Sequence, residues 1–108
     1  MENLKKAFID NHFTVTNEVK KAVEFTHRQT KEIVYLLPNI ETTIVLNPET
    51  VEGNDELLEK SLGINHKSTF KAFPKRKNNG KDPIHYGYSF CFQSTEELSS
   101  FLASLVKK

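Results

Sequence analysis

A chain of 108 residues, 37% hydrophobic and 27% charged with a formal net charge of +1, has the size of one folded unit spanning 1–108. The near-neutral total argues against a strongly nucleic-acid-binding or membrane-binding surface. A single cysteine, Cys91, excludes an internal disulfide and the cysteine-rich zinc patterns.

The opening MENLKKAF has no apolar stretch leading to a small-residue cleavage site. The longest apolar run, residues 33–37, falls far short of the ~20 residues that span a bilayer. The expectation is a cytoplasmic chain without membrane contact. Leu4, Phe8 and Ile9 recur at helical spacing and predict a short first helix over residues 2–11. Phe13, Val15, Val19, Val23 and Phe25 then mark a β-prone stretch, read as strands 13–17 and 20–27 or as one bent strand.

The polar HRQTK of residues 27–31 would fold this stretch back on a strand over 32–37 (EIVYLL). A tight loop at 38–41 leads to a strand over 42–46 (TTIVL), with Pro38 presetting φ and Asn39 tolerating left-handed geometry. Asn54 can cap a short helix, with Leu57, Leu58 and Leu62 as its apolar stripe and Gly63 as its stop. A strand over 69–73 is expected before Pro74, followed by a long exposed loop over 75–83.

Residues 84–92 alternate most regularly. Ile84, Tyr86, Tyr88, Phe90 and Phe92 share one face, and His85, Gly87, Ser89 and Cys91 the other. Ser94 and Glu97 form a capping box for a final helix with a stripe of Leu98, Phe101, Leu102, Leu105 and Val106. The predicted fold class is α+β: a single, mostly antiparallel sheet of about four to six strands with N-terminal, short middle and C-terminal helices.

Charge is unevenly distributed. Residues 41–59 hold six acids and no Lys or Arg, whereas 65–81 hold six bases (Lys67, Lys71, Lys75, Arg76, Lys77 and Lys81) and no acid. Phe70, Phe73, Tyr86 and Tyr88 flank these bases, and Asn78 and Asn79 add amide groups. Cations for phosphates with aromatic faces for unpaired bases suggest a non-catalytic, nucleic-acid-binding module acting through 67–81. The simpler reading turns the aromatics inward and leaves the bases to solvate a loop. As an alternative, the acidic 41–59 and basic 65–81 patches serve protein interaction or self-association.

A weaker alternative is a small nuclease or hydrolase, resting on Asp10 with Glu18-Val19-Lys20, a tripeptide that recurs by chance. His12, His27, His66 and His85 are scattered without ligand spacing, so neither a metal nor a cofactor is expected. No glycine-rich phosphate loop occurs. Cys91, between two phenylalanines, is expected to be a buried structural thiol rather than a nucleophile. The balance is against an enzyme.

Overall fold

A computed structural model describes residues 2–38, 41–76 and 82–105. The chain opens with α1 (Glu2–Asp10), which ends where Asn11 donates from its side chain to the Ala7 carbonyl and His12 adopts a left-handed φ of 71°. The stretch from residue 13 resolves into a hairpin, β1 (Phe13–Val19) and β2 (Ala22–His27). Next come β3 (Ile33–Leu37) and β4 (Thr42–Leu46). Two short helices follow, α2 (Pro48–Glu52) and α3 (Asp55–Lys60), before β5 (Gly63–His66), β6 (Lys75–Arg76), β7 (Ile84–Phe92) and α4 (Thr95–Leu105).

All pairings are antiparallel. The sheet runs β1-β2-β3-β4-β7-β5, and β6 pairs with the first residues of β7. The α+β class therefore holds, with seven strands against the expected four to six. Alternation assigns every second residue to one face. Val23, Leu36, Ile44 and Phe90 pair across neighbouring strands on the helix-covered face, with Phe25, Val34 and Leu46 beside them. Ala7 and Phe8 of α1 and Leu98 and Leu102 of α4 close over them. Phe8 stacks on Phe25 at 3.9 Å between centroids and meets Phe13 edge-on.

The C-terminal helix is capped as predicted at Ser94, whose Oγ accepts from the Glu97 amide at 3.1 Å. The Glu97 carboxylate reaches one residue further back than expected, to the amide of Gln93 at 2.7 Å. Val106, the last member of the proposed stripe, lies outside the described residues. Asn11 also donates to Ser99 Oγ at 3.0 Å, tying α1 to α4.

The opposite face has its own core of Ala22, Tyr35, Leu37, Val45, Phe70 and Phe73. No helix covers it. The segment between β5 and β6 does, and it is not the strand expected at 69–73. Two consecutive turns, closed by Phe70 N–H to Lys67 O and Phe73 N–H to Phe70 O, drive both phenylalanine rings against Tyr35. The Tyr35 hydroxyl anchors this cover, donating to Glu24 Oε2 at 2.6 Å and accepting from the Ala72 amide at 3.1 Å. Burial and the Glu24 carboxylate both push its pKa well above the usual tyrosine value.

Three other expectations change. Lys75 and Arg76 belong to a paired strand rather than a loop. Asn54 does cap a helix, its side chain accepting from the Glu56 and Leu57 amides, but the helix ends at Lys60. Only Leu57 packs on the core, while Leu58 and Leu62 are exposed, because the chain leaves helical geometry before Leu62 completes the stripe. Gly63 opens β5 at φ +119°, a backbone state that disfavours side chains. Among the described residues no helix is long and apolar enough to cross a membrane.

Candidate functional site

The bases of the 67–81 segment are dispersed. Lys67 is half-buried, and its amide donates to the His85 carbonyl at 3.0 Å. Lys71 is exposed in the turn between Phe70 and Phe73. Lys75 pairs with His85 and Arg76 with Ile84, so these adjacent bases leave opposite faces of the ribbon. Lys77 and Lys81 lie outside the described residues, as do Asn78 and Asn79.

Two of the four flanking aromatics, Phe70 and Phe73, are consumed by the second core, at 0% and 3% exposure. The other two remain half-buried on the helix side. The Arg76 guanidinium carbon lies 5.8 Å from the centre of the Tyr86 ring, and the His66 ring lies on that ring at 5.9 Å.

Glu52 of α2 takes both tyrosine hydroxyls, from Tyr88 at 2.9 Å and from Tyr86 at 3.5 Å. Burial, reinforced by this carboxylate, raises the pKa of each tyrosine, so neither is prepared to act as a nucleophile at neutral pH. The acidic and basic stretches therefore meet around Tyr86, with Glu52 at its hydroxyl and Arg76 over its ring. Among the described residues the ion pairs are elsewhere, Lys5–Glu18 and Lys6–Asp10.

Those two pairs occupy both carboxylates of the nuclease alternative, and Lys20 sits exposed in the turn between β1 and β2. Among the described residues no group of three His, Cys, Asp or Glu side chains is placed to hold a metal ion. Cys91 is exposed, contrary to expectation. Phe90 and Phe92 point to the helix side, whereas Cys91 points to the other face beside Thr43, with Sγ 3.3 Å from Oγ1.

A concavity lies on the helix-covered face, where α3 and α4 stand apart. An open groove of about 1220 Å³ runs between α3 and α4. Phe92 of β7 supplies its floor beside Phe90, which is only 3% exposed, with Leu57 of α3 on one side and Phe101 and Leu105 of α4 on the other. Phe101 rests on both floor rings at 5.4 and 5.0 Å, which holds the α4 wall in place.

Among the described residues, the charged lining is four carboxylates, Glu32, Glu49, Glu56 and Glu97, against one base, Lys60. Glu32 accepts a hydrogen bond from Thr50 Oγ1 at 2.8 Å and Glu97 caps α4, while Glu49 and Glu56 are exposed. Leu62, 66% exposed, extends the apolar surface to the lip. The acidic stretch was visible in the sequence, and Glu49 and Glu56 belong to it. The aromatic floor was not, because β7 and α3 become neighbours only in the folded chain.

No family model, no curated protein and no solved structure matches this chain.

Proposed function

We propose that this chain is a non-catalytic binding module that holds a segment of a partner protein in the α3–α4 groove. The observation that carries this reading is the composition of the groove: half-buried aromatic and aliphatic side chains, Leu57, Phe92, Phe101 and Leu105, within an acidic rim. Ligand and partner sites combine concavity, apolar area and a few polar groups in this way. Titration of isotope-labelled protein with a charge-varied set of synthetic peptides tests it. Amide shifts should change at Leu57, Phe92, Phe101 and Leu105. Ser104→Trp, which fills the groove from an exposed position, should suppress those changes. No response at millimolar concentrations to any peptide in the set would discard the proposal.

A second reading, nucleic-acid binding through the basic segment, is favoured by the Arg76 guanidinium over Tyr86, with Lys71 and Lys75 exposed nearby in sequence. Burial of Phe70 and Phe73 leaves it fewer stacking surfaces. Titration with single-stranded and duplex oligonucleotides at low salt separates the two readings. Binding that is abolished by replacing Lys75, Arg76 and Lys77 with Glu, and that weakens steeply with salt, would favour this one.

A further inference from the structure

Strand β5 is one border of the sheet, paired with β7 on one side and, among the described residues, with no strand on the other. Alternate residues make its bonds to β7. The Lys67 amide donates to the His85 carbonyl at 3.0 Å, and the register sets Asn65 opposite Gly87 in the same inward orientation. Ile64 and His66 therefore turn their N–H and C=O groups outward, and among the described residues these groups meet no partner. The other border, β1, is interrupted by a register shift between Val15 and Asn17, whereas the register of β5 on β7 runs unbroken.

The surface at this edge is apolar and uncharged. Leu58, Leu62 and Ile64 are all exposed, and no Asp, Glu, Lys or Arg occurs from Ser61 to His66. A free edge without blocking charge is a template for another strand.

Charge and register point to what that strand is. The chain enters β5 from α3, where exposed Asp55, Glu56 and Glu59 outnumber Lys60, and leaves it through Lys67 towards Lys71. Antiparallel pairing about a two-fold axis at Asn65 lays the acidic entrance of one copy beside the basic exit of the other. The same axis sets Ile64 of each copy opposite His66 of the other, and these are the residues whose backbone groups are free. Both side chains lie on the helix-covered face, opposite Tyr88 and Tyr86, so the helices of both copies stay on one side of a continuous sheet.

Independently of the groove, we propose that β5 is a self-association edge through which two copies of this chain join their sheets antiparallel about Asn65. Ile64 of each copy exchanges both backbone hydrogen bonds with His66 of the other. So short a joint makes a weak, concentration-dependent dimer, and its symmetry closes it at two copies.

Sedimentation equilibrium and residue-resolved hydrogen exchange on the full chain, from micromolar to millimolar concentration, test the proposal. The mass should rise from one copy towards two. The Ile64 and His66 amides should exchange freely in dilute protein and become protected as the dimer forms, whereas those of Asn65 and Lys67 should be protected throughout. Ile64→Lys places like charges across the joint and should weaken association at least about tenfold. Leu62→Lys, at a side chain 66% exposed, should weaken it too, with an unchanged melting temperature. Added salt should weaken it by screening the opposed ends.

A chain that stays single at millimolar concentration would overturn the proposal. So would a dimer whose Ile64 and His66 amides still exchange freely, since it would use another surface. Association indifferent to salt would overturn the part assigned to charge. Ser104→Trp fills the groove and should leave the dimer intact, so its loss in that variant would move self-association from β5 to the groove.

Discussion

His27 is the buried polar residue on which the link between β2 and β3 depends, and only 3% of it is exposed. Its Nδ1 accepts from the amides of Gln29 at 3.2 Å and Thr30 at 3.1 Å, which requires the neutral ring. Burial, then the neighbouring His12, lowers its pKa below 6.5, against an upward pull from Glu32. The unfolded chain therefore takes up this proton first as pH falls. The stability contributed by His27 is complete above about pH 6.5 and is lost as pH drops from there towards the lowered folded value. His27→Asn retains an acceptor without the titration, so its melting temperature should fall less than that of the wild type between pH 7 and pH 5. Parallel profiles would show that His27 is not the sensitive group. The sequence exposed His27 only as part of a polar connection, because its role depends on a turn that closes over its own ring.

The least regular element of the fold is the cover formed by the two turns and β6. It reaches the sheet because residue 87 has no side chain. A Cβ there would lie 2.5 Å from Val45 Cγ1, 2.6 Å from the Leu46 carbonyl oxygen and 3.0 Å from Phe73 Cδ2. Gly87→Ala should therefore lift the cover and cost about 1–3 kcal/mol, read as a lower melting midpoint and a faster-exchanging Ala72 amide. An unaltered midpoint would mean that β7 can shift enough to admit a methyl group. The alternation of residues 84–92 placed the small residues Gly87 and Ser89 together on one face. It did not show what would cover it, and the phenylalanines that do so sit in a run that resembles a strand.

Short elements were the least legible. β5 and β6 are four and two residues long and form only because β7 offers them a partner. α2 carried a local signal, Asn47 capping ahead of Pro48 at the first helical position, although Asn-Pro reads equally well as a break between elements.

Across the whole molecule, long strands and end helices with strong periodicity were legible, so the class and direction of the sheet followed from pattern alone. The candidate site was not. Leu57, Phe92, Phe101 and Leu105 come from three elements, and each stood in the sequence only as a member of an apolar stripe or strand face. What makes them a surface is the gap between α3 and α4, and that gap is a property of tertiary packing.

One detail of the sheet bears on how the molecule behaves among its own copies. β1 is the outermost strand, and its register against β2 shifts between Val15 and Asn17, leaving Thr16 as an extra residue held by Glu24 Oε1 at 2.7 Å and Thr26 Oγ1 at 2.9 Å. Such a bulge twists a free border out of plane and spoils it as a template for cross-β growth. Deleting Thr16 should close the bulge at little cost to folding, since Asn17, Glu18 and Val19 already stand opposite Glu24, Val23 and Ala22 and keep those partners, while Phe13 stays in place. The straightened border would then nucleate thioflavin-positive fibrils during incubation, where the parent chain stays dispersed. Equal dispersion of the deletion variant would remove Thr16 from that protective role. On this account a single surplus threonine acts as the molecule's guard against amyloid-like stacking.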